Sequence, residues 1–330
     1  MQNLKSKSLL LALGLMMPIG CQQQEENTVL SSTEAPARDS VTSKTINGLT
    51  YFIPRERTAD LIVFNYGFGS GAFGGFAYPA TPRALAEAGF AVVLNTASGV
   101  DQFGGGPKTV ATIVAIAEAD LGDPNNNLTL TDNIGVIGHS MGGGTAGRLV
   151  SDLAEEGAYE VDQNLLNRIK AAVAIQPAYL QPIPDGGRQP KSALGGLAGA
   201  AQTFGPFADW IMPIKVHKTI KPTAFLGGDQ VEWGDGENPY LSYNRAETDA
   251  FVAEDPSADH LWGRETPGYS KVAVEWFRCY LSNDEQACDI FRSQGNNRPS
   301  ICANSELNLK NCAFKEGGET NLKSLAEPAE

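Results

Sequence analysis

One serine of this chain sits between two glycines, each two residues away: Gly138-His139-Ser140-Met141-Gly142. A short β-branched run, Ile134 to Ile137, precedes it, and a stretch that reads as a helix, Gly142 to Glu156, follows. Strand, tight turn and helix in that order expose a nucleophilic hydroxyl at the end of a sheet. The turn forces the serine into strained backbone geometry, so its neighbours must lack bulk, and Gly138 and Gly142 meet that need. The N-terminus of the following helix offers backbone N–H groups to a developing oxyanion. The five-residue motif alone is weak evidence, and its context gives it weight.

A nucleophilic serine needs a base, and the chain holds three histidines. His139 lies inside the motif, cannot reach around to Ser140, and is expected to pack beside the turn. His217, in PIKVHKTIKP, lies among lysines and reads as solvated or lightly packed. His260, in VAEDPSADHLWG, follows the strand-like run Ala250 to Ala253 late in the chain, where the base of a Ser…acid…His order falls. The acid should lie between them, after the preceding strand. PTAFLGGDQVEWGDGE offers Asp229, Glu232 and Asp235; Asp229 follows the strand most closely, and Glu232 is the alternative. Either would accept the second ring N–H and stabilise the imidazolium. The ordinary fate of each is a solvated loop carboxylate. The oxyanion needs two donors. Met141, directly after the nucleophile, supplies one backbone N–H, and the loop FNYGFGSGAFGG supplies the other, best from Phe68. Those glycines equally suit a plain flexible loop.

The elements that must place these residues recur with a regular rhythm. Leu49 to Pro54, Leu61 to Tyr66, Phe90 to Asn95, Ile134 to Ile137, Ile169 to Ile175, Thr223 to Leu226 and Ala250 to Ala253 read as strands. Pro79 to Gly89, Pro107 to Ala119, Gly142 to Glu156 and Gly268 to Leu281 read as helices. Short strands apolar on both faces, separated by helices, imply an α/β fold with a mostly parallel central sheet covered by helices on both faces. One such sheet absorbs most of residues 46–292, so one catalytic domain is expected there. Residues 181–215, rich in Gly, Pro and Ala, interrupt the rhythm and read as an insertion, either a partial lid or a surface loop.

The chain has 330 residues, 42% hydrophobic and 19% charged, which suits a sizeable core. A net charge of −13, with no Lys/Arg cluster longer than two residues, argues against nucleic acid as a partner. Lys5 and Lys7, the apolar run Leu9 to Met17 and the small Gly20 before Cys21 resemble a bacterial lipoprotein signal over residues 1–21, with Cys21 as the lipidated residue. Proline at the third position before Cys21 departs from that pattern. The mature chain is expected to be exported, as an outer-membrane lipoprotein or a secreted protein. Residues 22–45, rich in Gln, Glu, Ser and Thr, read as a flexible tether. Residues 293–330 read as a cysteine-containing C-terminal extension. Cys279, Cys288, Cys302 and Cys312 suggest two disulfides, and pairing of nearest neighbours is the simplest of three connectivities. Zinc is disfavoured, because no C-x-x-C pair and no nearby histidine accompany them.

Several segments, in one order, resemble the α/β-hydrolase branch that contains cutinase-like polyester hydrolases, dienelactone-hydrolase-like esterases and chlorophyllase-like enzymes. GHSMGGG at 138–144 is similar to the nucleophile elbow of the polyester hydrolases, VFNYGFGSG at 63–71 to their oxyanion loop, LAEAGFAVVLNTASGVDQF at 85–103 to a helix, strand and loop, and YSKVAVEWFRCYLSNDEQACDIF at 269–291 to their closing helix. The resemblance implies Ser140, His260 and an acid as a triad, Phe68 and Met141 as donors, and carboxylic ester hydrolysis without metal or organic cofactor. The substrate would be a small or polymeric ester, and the protein a monomer. Phe68, Tyr179 and Trp233 are the candidate substrate contacts, with Tyr66, Trp210 and Trp262 as further aromatic candidates. The chain departs from the pattern in three places. Ala178 and Tyr179 stand where the polyester enzymes carry a tryptophan, the loop GGDQVEW matches the acid position imperfectly, and the 181–215 segment is longer. A peptidase or acyltransferase would keep the same triad, and a non-catalytic binding module would keep only the fold.

Overall fold

The computed structural model describes residues 41–67, 80–95, 106–122, 128–155, 162–177, 218–228, 237–258, 266–292 and 299–317. Among the described residues, nine strands form one sheet within the unit Asp39–Glu330. They are β1 (Thr42–Ile46), β2 (Leu49–Ile53), β3 (Thr58–Asn65), β4 (Ala91–Asn95), β5 (Thr129–His139), β6 (Ile169–Ile175), β7 (Thr223–Gly228), β8 (Ala250–Asp255) and β9 (Lys310–Lys315). The spatial order is β1-β2-β4-β3-β5-β6-β7-β8-β9. From β4 through β8 every neighbouring pair is parallel; β1/β2, β2/β4 and β8/β9 are antiparallel. The expected α/β class, with a mostly parallel sheet between helices, is what the chain adopts.

The central strands are buried on both sides, and their side chains divide between two faces with the period of two that a strand imposes. On one face Phe64, Ile137, Val173, Leu226 and Phe251 pack with α1 (Ala80–Glu87) and α7 (Pro267–Tyr280), through Leu85, Tyr269, Val272 and Trp276. On the other, Val63, Val136 and Ala172 pack against Val110, Ile113, Val114 and Ala117 of α2 (Gly106–Leu121) and Leu149 of α3 (Met141–Leu149). Further along that face, Phe225 and Val252 meet Tyr243 of α6 (Glu237–Arg245). The short helices α4 (Asp152–Glu155), α5 (Gln163–Arg168) and α8 (Glu285–Asp289) complete the set among the described residues. Each fully buried Phe, Leu or Val contributes roughly 1.5–3 kcal/mol, so both faces are essential to the sheet. No helix among the described residues is long and apolar enough to cross a membrane.

Three boundaries differ from the sequence reading. The tether ends earlier than residue 45, because Thr42–Ile46 pairs with β2 from Thr42↔Ile53 to Ile46↔Leu49. The connecting pair Asn47-Gly48 has φ 48° and 84°, positive at both positions, as a two-residue hairpin turn requires. The sheet also continues past residue 292. β9 covers the outer edge of β8, with Phe251 opposite Phe314 and Val252 opposite Ala313, while Ile301, Leu307 and Leu309 enter the core beside Phe291. The C-terminal extension is therefore part of the sheet domain. Finally, the helix expected over Gly142 to Glu156 breaks at Val150-Ser151, where Asp152 N–H donates to Lys218 O and Ile220 N–H to Val150 O. These long-range bonds displace the helical ladder for one turn.

The cysteines pair as nearest neighbours, Cys279 with Cys288 and Cys302 with Cys312. The first joins α7 to α8, and the second closes the segment leading into β9.

Candidate active site

The strand order reverses between β3 and β5. The chain leaves β3 for α1 and β4 on one side, then crosses to β5 and leaves it for α3 and β6 on the other. Helices α1 and α3 lie on opposite faces, so the chain changes face at this point of the sheet, the kind of switch point at which open α/β sheets bind ligands. Ser140 is the first residue beyond β5 at this point.

The backbone at Ser140 is strained. Its φ is 57° and ψ −120°, among the few positive φ values at a non-glycine residue here. Such a conformation costs on the order of 1–3 kcal/mol and persists only where surrounding bonds impose it. Ser140 N–H donates to Ile175 O at 3.0 Å, extending the β5–β6 ladder, while Gly144 N–H donates to Ser140 O at 2.9 Å, opening α3. One residue thus ends a strand and begins a helix. Its side chain does not cap that helix. The N–H groups of Met141 to Gly143 precede the first intrahelical bond, at the positive end of α3.

The glycines around Ser140 are there for space. A Cβ on Gly138 would lie 2.2 Å from Gly142 O, and one on Gly142 would lie 2.3 Å from Asn65 O and 2.6 Å from Tyr66 O. The elbow is therefore pressed against the end of β3, whose next residues lead to Phe68. Gly143 is similarly tight, with Ile175 O 2.8 Å from its Cβ position.

Polar residues that the sequence reading did not single out close the carboxyl ends of otherwise apolar strands. Asn65, Asn95, Gln176 and Asp255 are at most 1% exposed. Asn95 Nδ2 donates to Asn65 Oδ1 at 3.0 Å, and Asn65 Nδ2 donates to Ile137 O at 3.4 Å, tying β4, β3 and β5 together beside the elbow. Gln176, with φ 42°, follows β6; its N–H donates to Leu226 O at 2.6 Å. Its Oε1 accepts from His139 Nε2 at 2.9 Å; an amide oxygen only accepts, so the bond requires the proton on Nε2. His139 is buried, 3% exposed, and packs beside the turn as expected. A Cβ on Gly228 would lie 2.4 Å from both Gln176 Nε2 and Ala258 O, so the chain leaving β6, β7 and β8 converges there. Tyr269, fully buried in α7, donates its hydroxyl to Gly227 O at 2.7 Å and holds the end of β7. The signal for these residues was a polar ending after a run of apolar ones: one residue in VFN, VLN and AIQ, two in VAED.

Of the expected catalytic and oxyanion-hole residues, the structure describes Ser140 and the backbone of Met141. Phe68, Asp229, Glu232 and His260 lie outside the described residues, as do Tyr179, Trp233, Trp210, Trp262, His217, Cys21 and the 181–215 segment. Their described chain neighbours end at one edge of the sheet. Gly67 follows β3, Gly228 ends β7, and Ala258 follows β8; Asn65 is the register partner of Gly138, and Gly228 of Asp255. Tyr66, an aromatic candidate for the cleft, follows β3 and is fully buried in the core cluster of the α1/α7 face with Phe64. No family model matches the sequence, and no curated protein resembles it significantly.

Proposed function

We propose that the chain is a serine carboxylic ester hydrolase of the α/β-hydrolase fold. The observation that carries this reading is the backbone of Ser140, held at φ 57° and ψ −120° where β5 turns into α3 at the point of strand-order reversal. A purely structural turn has no need of a strained non-glycine residue there, since glycine would adopt the same angles at lower cost. The glycine contacts and the strand order support the same assignment, as does the sequence order Ser140, Asp229 or Glu232, His260.

In this reading Ser140 Oγ attacks the ester carbonyl while His260 accepts its proton, with Asp229, or Glu232 in its place, stabilising the imidazolium. The N–H groups of Met141 and Phe68 hold the tetrahedral oxyanion, each worth roughly 3–4 kcal/mol of transition-state stabilisation. His260 then protonates the leaving alcohol, an acyl-enzyme forms on Ser140, and the same histidine activates the water that releases it. Phe68, Tyr179 and Trp233 would contact a small or polymeric ester. Export of the mature chain, with Cys21 as the lipid attachment point, belongs to this reading; two disulfides fit an oxidising compartment.

The test is a hydrolysis panel on the purified protein: p-nitrophenyl esters of short and long acyl chains, an aromatic polyester film and an anilide, with Ser140→Ala as control. Ester turnover that disappears in Ser140→Ala, with fluorophosphonate labelling at Ser140, is the expected result. Anilide turnover exceeding ester turnover would make the protein a peptidase. A folded protein that turns over no ester would overturn the reading.

A further inference from the structure

Among the described residues, six that are not glycine have a positive φ, and four of them are asparagines, which enter this region readily. The other two are Ser140, at 57°, and Gln176, at 42°. They stand side by side. β5 and β6 run parallel with His139 opposite Ile175, and Ser140 and Gln176 are the next residue of each chain. Left-handed backbone at such residues persists only where surrounding bonds impose it, and the bonds here run through Gln176.

The peptide between Ile175 and Gln176 spans three strands. Its carbonyl accepts from Ser140 N–H at 3.0 Å, and its N–H donates to Leu226 O at 2.6 Å. One rigid plane therefore ties the amide of Ser140 to β7. The side chain of Gln176 turns back to the same elbow: Oε1 accepts from Nε2–H of His139, the residue before Ser140, at 2.9 Å. Its Nε2 lies 2.4 Å from the position a Cβ would take on Gly228, so β7 confines the far end of the amide. Ile175 O and Pro177 Cα lie 2.8 and 3.2 Å from the Cβ position of Gly143, in the first turn of α3. Residues 175–177 thus touch the chain before, at and after Ser140. Gln176 is 0% and His139 3% exposed, so their bond lies in a low-dielectric interior. An apolar side chain would fill that space without the cost of burying an amide, so the bond to His139 is what the glutamine adds.

We propose that Gln176 is a positioning residue for the nucleophile. It grips His139 with its side chain and Ser140 N–H with the peptide it shares with Ile175, and so fixes the direction in which the serine hydroxyl leaves the elbow. This rests on the reading of Ser140 as the nucleophile.

The test is Gln176→Met, which keeps the length and unbranched shape of the side chain and deletes the acceptor. His139→Phe deletes the donor, keeps a ring, and reads the same bond should Gln176→Met not fold. Tyr51→Phe is the control: it deletes the bond from a buried tyrosine to Asp120 Oδ2, 2.6 Å long, on a strand that β4 and β3 separate from β5. The readouts are kcat and KM on a p-nitrophenyl ester and the rate at which a fluorophosphonate labels Ser140, at a temperature where circular dichroism shows each variant folded. Gln176→Met and His139→Phe are each expected to lower kcat and the labelling rate about tenfold with KM unchanged, since a small displacement of a catalytic group costs that much or more. The double variant falls no further than the worse single one, because both residues act through one bond. Tyr51→Phe loses stability and keeps both rates. Unchanged rates in a folded Gln176→Met or His139→Phe, beside an active wild type, overturn the inference and leave the esterase reading intact. An equal fall in Tyr51→Phe reduces the effect to general loosening and also overturns it, as does a double variant whose loss is the product of the two single losses. A folded wild type that hydrolyses no ester removes the reading and the inference together.

Discussion

Substituting Gly142 by alanine would probe the contact on which the site depends. Its Cβ position is 2.3 Å from Asn65 O and 2.6 Å from Tyr66 O, whereas ordinary van der Waals contact begins at 3.4 Å. Both obstacles are backbone oxygens, so no side chain can rotate away. The end of β3 and the start of α3 must part by about 1 Å in a close-packed interior. Overpacking of this kind costs roughly 1–3 kcal/mol, which lowers Tm by roughly 2–12 °C in a domain of this size. Activity should fall further than stability. Asn65 lies three residues before Phe68, and Gly142 directly follows Met141. The substitution therefore drives apart the two chain segments that carry the proposed oxyanion donors. Misalignment of one such donor costs about 10²–10³ in kcat. The assay is kcat for a p-nitrophenyl ester at a temperature where circular dichroism shows Gly142→Ala fully folded. Gly48→Ala serves as comparison: nothing lies within 4 Å of its Cβ position, and only the hairpin's φ of 84° resists the change. It should lose some stability and no activity. A Gly142→Ala enzyme with kcat within threefold of wild type would refute the claim that the elbow and the end of β3 are held in contact for catalysis.

The strain at Ser140 can be measured directly. Ser140→Gly should be more stable than Ser140→Ala by about 1 kcal/mol, because glycine accepts φ 57° and alanine does not; a higher Tm for the alanine variant would remove the strain argument. A pH effect is expected at Asp284, the cap of α8. N–H donation from Ala287, then the nearby Arg278 guanidinium and Gln286 N–H, hold its carboxyl below the ordinary value of about 3.9. The folded pKa is depressed, so the stabilisation is present above the unfolded value and is lost as pH falls through the folded one. Tm of wild type should exceed that of Asp284→Asn at pH 6, and the gap should close as pH falls through the depressed folded value; a gap that stays constant as the carboxylates are titrated with acid would contradict the assignment.

The central strands were legible because they are apolar on both faces, and runs such as AVVLN and IKAAVAI admit few other structures. The elbow was legible for a related reason: GHSMG needs its glycines for space, and steric need leaves a mark in the sequence. The edge strands were not. TSKTI is mostly exposed, so its pairing shows neither an apolar run nor a clean alternation, and only the Asn47-Gly48 turn announced it. KNCAFK is half polar and only partly buried, and its place is fixed by the open side of β8 as much as by its own composition. The break after Val150 depends on Lys218 and Ile220, some seventy residues away, which no local pattern reveals. The polar residues at the strand ends were visible one by one, but their mutual bonds needed the register that sets β3, β4 and β5 side by side. Nor could the partner of each cysteine be fixed among the three connectivities until α8 and β9 had been placed.

The position of β9 has a consequence for how the protein is made. A chain emerges N-terminus first, so β8 is complete about 60 residues before the strand that covers it. During that interval Phe251, Val252 and Ala253 lie along an open edge whose backbone groups can template pairing with any other extended chain. Once β9 docks, the outer edge carries Lys310 and Lys315, which oppose further strand addition. A chain cut short before Lys310 would therefore be prone to self-association, and the last strand acts as an aggregation guard.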